Sequence, residues 1–150
     1  MQALSSARPS SFFTLGYQRH TVASMLRVLR KYEVELVVDV RQNPISRKPG
    51  FAKARLQLEL LRSGIEYLHY PCLGTPPSIR SLYCKNGQVE LALRKYAVYL
   101  DDKPKCLQSL IDAASAKRFC LLCLENDHKF CHRGVIAARL AEMTRCSPIH

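Results

Sequence analysis

The chain has 150 residues, 47% of them hydrophobic and 23% charged, the make-up of one globular domain large enough to bury a core. Its 23 Lys and Arg against 12 Asp and Glu give a formal charge of +11, which favours an anionic partner, either a phosphate-bearing small molecule or nucleic acid, because summed positive potential attracts anions over distance. A solvated basic surface is the competing reading. No apolar run approaches the roughly 20 residues of a membrane span, and no internal repeat or low-complexity tract occurs.

The polar start lacks the apolar centre of a secretory signal. Residues 1–11 therefore read as a flexible leader, and residues 12–150 as one domain. The seven cysteines are odd in number and scattered, which predicts reduced thiols in the cytoplasm rather than a disulfide framework.

Phe12 to Tyr17 predicts a first strand, aromatic-rich and punctuated by Gly16. Thr21 is a candidate N-cap for a helix carrying Val22, Met25, Leu26 and Leu29 on one face. Leu36 to Val40 is a second strand, apolar without alternation except at Asp39, as suits a parallel strand covered on both faces. A loop with Pro44, Pro49 and Gly50 follows. Then comes a helix from about Ala52 to Arg62, with Leu56, Leu60 and Leu61 as its inward candidates and Gly64 closing it. Ile65 to Tyr70 predicts a third strand, and Pro71 to Pro77 an irregular segment.

Helices are predicted from about Val89 to Leu100 and again after Pro104, where a proline fits the first turn. Phe119 to Leu124 is too short for a typical helix and predicts a buried strand. A polar loop follows it, then a helix with Val135, Ile136 and Leu140 at helical spacing. The tail, Ser147 to His150, is a candidate for one more strand. Strands alternating with helices imply right-handed βαβ units. The predicted fold is α/β, a single three-layer Rossmann-like domain with a mainly parallel sheet of four or five strands.

In such a fold the loops beyond the strand C-termini converge, and ligands bind there. These loops bring together Tyr17, Asp39, Arg41, Arg47, Glu125, His128, Cys131, His132 and Arg133. Arg41, Arg47 and Arg133 are candidate anion forks, with salt bridges to Asp39 or Glu125 as the alternative. Glu125 and Asp39 are candidates for acid–base or nucleophilic work, for instance at the anomeric carbon of a nucleoside, with ion pairing as the alternative role. Cys131, beside His132 and Arg133 near a helix start, is a candidate reactive thiol against a packed one. It is not a phosphatase-type phosphate-loop cysteine, because Ala137 stands where the arginine would be needed.

Cys120 and Cys123 face opposite sides of a strand and cannot share one ion. Cys123, His128, Cys131 and His132 are freer but match no standard zinc spacing. No metal and no cofactor is expected. Neither a Gly-x-Gly-x-x-Gly nor a Walker loop occurs, which sets aside ordinary dinucleotide and P-loop enzymes.

Several of these segments form an ordered set: Thr14-Leu-Gly16, Val38-Asp-Val-Arg41 with Pro44 and Ser46-Arg47, Leu73-Gly74, and Cys123-x-Glu125 followed by Cys131-His-Arg133. Taken together, from about Phe13 to Ala141, the chain resembles the domain of unknown function 488 family. The resemblance implies a single α/β domain with functional positions at Asp39, Arg41, Arg47, Glu125, Cys131, His132 and Arg133. Tyr17 stands where the family usually has histidine, with His20 a possible substitute, and Thr75 where it usually has a second glycine. The functional expectation is anion binding at the strand C-termini, extending to chemistry at a nucleotide or nucleoside glycosidic bond. A noncatalytic nucleic-acid-binding module and thiol chemistry at Cys131 are the alternatives.

Overall fold

Apolar runs without alternation need cover on both faces, and the two that the chain contains occupy the interior of a sheet. The computed structural model describes residues 11–150. Its strands are β1 (Ser11–Gly16), β2 (Leu36–Asp39), β3 (Glu66–His69), β4 (Phe119–Cys123) and β5 (Ser147–Ile149). They pair in the order β3-β2-β4-β1-β5, every neighbouring pair parallel.

One face is covered by α1 (Val22–Lys31) and α2 (Lys53–Arg62), the other by α3 (Pro77–Asn86), α4 (Val89–Asp101), α5 (Pro104–Ala114) and α6 (His132–Thr144). Successive strand residues feed the two layers in turn. Leu36, Val38, Leu121 and Cys123 join the core under α4, α5 and α6, while Val37, Cys120 and Leu122 join the core under α1 and α2. Cys120 and Cys123 thus lie on opposite faces, as a period of two requires. The fold is three-layer α/β with an all-parallel five-stranded sheet.

Thr21 caps α1 reciprocally: its Oγ1 accepts from Ser24 N–H at 3.1 Å, and Ser24 Oγ accepts from Thr21 N–H at 3.0 Å. Thr21→Ala is expected to cost about 1 kcal/mol, read as a lower urea midpoint at unchanged m-value. A loss within 0.3 kcal/mol, on the order of experimental error, would mean that Ser24 and water cap the helix alone.

The structure corrects the sequence reading at several places. Ser11 opens β1 instead of closing a leader; the rest of the leader lies outside the described residues. Leu61 is 69% exposed, because Leu56 and Leu60 already define the inward face of α2. The segment read as irregular holds a 3-10 turn at Pro71–Leu73, and its last residue, Pro77, begins α3. A proline at the first helical position loses no bond there, since that N–H has no intrahelical partner. Cys72 and Cys106, expected reduced, are joined as a disulfide with Cα atoms 6.5 Å apart; the 3-10 turn sets Cys72 beside the first turn of α5. No helix among the described residues is long and apolar enough to cross a membrane.

Candidate functional site

The helices following β1 and β2 lie on one face and α6, following β4, lies on the other. With β4 seated between β2 and β1, the chain leaves neighbouring strand ends in opposite directions, which opens a crevice at their C-termini. A cleft of about 140 Å³ occupies this place, lined among others by Tyr17, Arg41, Thr75, Arg80, Tyr83 and Glu125. A larger cavity of about 550 Å³ lies beside α1, away from the Glu125 carboxylate.

Glu125 reaches the cleft because its backbone is held from several sides. Past the strand ends, Tyr17 N–H donates to Cys123 O at 3.0 Å and Gln18 N–H to Leu124 O at 2.9 Å. Gly16 packs so closely that a Cβ there would lie 1.6 Å from the Glu125 carbonyl oxygen, so this close approach requires glycine. Arg133 donates from Nη1 to Glu125 O at 2.5 Å and from Nη2 to Asn126 O at 3.1 Å. The carboxylate itself accepts only from the Cys123 thiol, at 3.3 Å, and makes no ion pair among the described residues.

Asp39, the other carboxylate at a strand end, is in the opposite condition. It is 0% exposed and does not line the cleft. Arg41 forks onto it through Nε at 2.8 Å and Nη2 at 2.6 Å, and Tyr67 donates its hydroxyl at 2.6 Å. Arg41 Nη1 donates to Tyr17 Oη at 3.1 Å and to Phe51 O at 2.8 Å, beneath a Tyr17–Phe51 ring stack with centroids 4.4 Å apart. Burial works against the Arg41 charge, yet the Asp39 carboxylate outweighs it and raises the pKa. Burial, then Asp39, pushes the Tyr67 phenol up. Arg41 lines the cleft, but its fork is already engaged and its charge is balanced by Asp39.

Arg133 is 2% exposed and spends its fork on loop carbonyls, facing the larger cavity and not the cleft. Arg47 is exposed on the loop after β2 and does not line the cleft either. His20 bonds Ser24 Oγ at 3.0 Å, and His128 stacks on His150; both line the larger cavity.

Among the described residues the free cation of the cleft is Arg80, which the sequence reading missed. It is exposed and has no ion pair among the described residues. Tyr83 also lines the cleft. Among the described residues its hydroxyl is buried without a hydrogen-bond partner, and burial, ahead of the nearby Cys131, Glu125 and Cys123, raises its pKa. It stays protonated, a donor awaiting an acceptor. Pro76-Pro77 followed by Ile79 and Leu82 was the available signal, since a proline pair also marks a helix start.

His132 Nε2 donates to Val40 O at 2.9 Å, which directs Nδ1 toward Cys123 and Cys131. Burial disfavours the imidazolium, but Cys131, the Val40 carbonyl and Glu125 outweigh it and move the pKa up. Cys131 caps α6, its Sγ accepting from Arg133 N–H at 3.4 Å. The influences expected to favour its thiolate lose to burial, which pushes its pKa well up. Cys131 is nearly fully buried and does not line the cleft.

The chain belongs to the family described as Domain of unknown function DUF488. The match runs over residues 21–140 and takes in Asp39, Arg41, Glu125, Cys131, His132 and Arg133, while Thr14, Gly16 and Tyr17 precede it. No curated protein and no solved structure matches the chain. What a DUF488 domain of this sequence does must therefore be argued from its cleft.

Proposed function

We propose that the cleft binds a nucleoside or nucleotide through its sugar and that Glu125 is the group that reacts with it. The carrying observation is the Glu125 carboxylate, held in the cleft without a counter-ion among the described residues, in a lining shared with Arg80 and the Tyr83 hydroxyl, which is unpartnered among those residues. A cleft of about 140 Å³ is below the roughly 300 Å³ of sites that enclose whole drug-sized ligands. It suits one pentose, with phosphate at the mouth near Arg80. Glu125 Oε attacks the anomeric carbon as the bond to the base breaks, and the electron pair leaves with the base, which takes a proton from water. Hydrolysis of the resulting glycosyl ester releases the sugar and restores the carboxylate.

Partner and location belong to the same proposal. The partner is an anionic nucleotide-type molecule met in the cytoplasm. The formal charge of +11 favours a second reading, a noncatalytic nucleic-acid-binding module, which predicts binding that weakens steeply with salt and survives Glu125→Gln.

The test is a thermal-shift screen of phosphate, ribose 5-phosphate, nucleosides, nucleotides and short oligonucleotides, run on the native chain and on Arg80→Ala. A ligand at about 100 times its dissociation constant adds about 2.7 kcal/mol, a shift of several degrees at this size. A nucleotide-specific shift that Arg80→Ala weakens supports the cleft. Shifts only with oligonucleotides, equal in both proteins, transfer the function to the basic surface.

A further inference from the structure

Three soft donors from two elements meet at the inner wall of the cleft. Cys123 ends β4, Cys131 is the N-cap of α6 and His132 is its first residue. Their two sulfurs and one imidazole nitrogen lie within 4.8 Å of one another, and each sulfur is 3.8 Å from His132 Nδ1. On a tetrahedral zinc ion, with sulfur at about 2.3 Å and nitrogen at about 2.0 Å, such donors stand about 3.5 Å apart. The two sulfur-to-nitrogen distances are already within a few tenths of an ångström of this, and the sulfurs, within 4.8 Å of each other, would close by up to about 1 Å through side-chain rotation.

We propose that Cys123, Cys131 and His132 bind one zinc ion, or a similarly soft divalent ion, with the fourth position open to the cleft. The orientation of the histidine supports this. Its Nε2–H is fixed on the Val40 carbonyl at 2.9 Å, the outer contact that aims a ligating nitrogen. In a metal-free core the buried Nδ1 has only two thiols at 3.8 Å, both weak donors. Such a site would also use the pairing of donors that simple packing does not require.

An entry path exists because Cys123 and His132 line the cleft while Cys131 closes the site from behind. The spacing of Cys123, Cys131 and His132 matches no zinc finger because a finger supplies its ligands from one hairpin and helix. Here the parallel strand and the α6 N-terminus are brought together by the sheet. Two thiolates balance the charge of the ion, so binding releases their two protons to solvent. Glu125 Oε2, 3.3 Å from Cys123 Sγ, borders the fourth position, where it can accept a hydrogen bond from bound water. Three protein ligands and an open position are the pattern of a catalytic rather than a structural zinc site. The site does not depend on the glycosidic reading.

The test is titration of the full chain with Co²⁺ and then Zn²⁺, handled anaerobically without reductant so that the Cys72–Cys106 bond stays closed. Expected are one Co²⁺ per chain with sulfur-to-cobalt charge-transfer absorption, displacement by one Zn²⁺, and about two protons released per ion. Cys131→Ala is expected to weaken binding about 100-fold, whereas Cys120→Ala, on the same strand but the opposite face, leaves it unchanged. Glu125→Gln keeps the stoichiometry, so the metal site and the sugar chemistry fail separately. The native-chain titration decides even if a variant does not fold. Absence of the charge-transfer band there overturns the proposal, as does a band that forms in Cys131→Ala with unchanged cobalt affinity.

Discussion

Glu125→Gln is expected to lower turnover of a cleft substrate by about 100- to 10,000-fold, the range lost with a positioned acid–base or nucleophilic carboxylate, while leaving the fold intact. The stability half of this expectation follows from what Glu125 touches. Among the described residues its carboxylate makes no ion pair and accepts only from the Cys123 thiol, a weak bond that the amide oxygen of glutamine can also accept. The backbone contacts that hold the loop run through the Glu125 carbonyl to Arg133, and the substitution does not alter them. A change within about 0.5 kcal/mol is therefore expected in denaturant melts. The kinetic half follows from charge, since an amide neither attacks an anomeric carbon nor offsets positive charge developing there. The loss should fall in kcat with KM held, the signature of an interaction made in the transition state. Turnover within tenfold of the native chain would remove Glu125 from the reaction.

The parts of the fold that could be read from sequence are those set by local chemistry. Leu36–Val40 (save Asp39) and Phe119–Leu124 announce interior strands because apolar runs without alternation need two covered faces, and β2 and β4 are interior. Thr21 announces a helix start because its side chain bonds within three residues. The helix α3 was hidden because Pro76-Pro77 punctuates a loop and opens a helix with the same residues. The Cys72–Cys106 bond spans 34 residues and depends on where the 3-10 turn meets α5, which no local pattern records.

In the site, residue types were readable but their partners were not. Asp39 and Glu125 look alike as acidic groups at strand ends. What separates them is that Arg41, two residues along, folds back onto Asp39, while Arg133 turns from Glu125's carboxylate to its carbonyl. The meeting of Cys123 with Cys131 and His132 is likewise a product of β4 and α6 packing, not of spacing.

Asp39→Asn is expected to destabilise the chain by about 3–5 kcal/mol, the cost of removing one partner of a buried ion pair, and to lower the melting temperature by about 10 °C. The mutant keeps its shape and loses its charge. Its amide NH₂ would face the Arg41 fork or the Tyr67 hydroxyl, placing donor against donor where the carboxylate now accepts from both. The larger part of the cost is the Arg41 guanidinium left buried without its counter-ion. This cause predicts an asymmetry: Asp39→Asn combined with Arg41→Met should be more stable than Asp39→Asn alone, because the second change removes the uncompensated charge. A double variant no more stable than the single one would point to lost shape instead. A single variant within about 1 kcal/mol of the native chain would show that the pair is solvated. Arg41 also underlies the Tyr17–Phe51 stack at the cleft, so the ion pair positions the floor on which Glu125's substrate would rest. The same carboxylate-to-amide change should thus register in the melting curve at Asp39 and in kcat at Glu125.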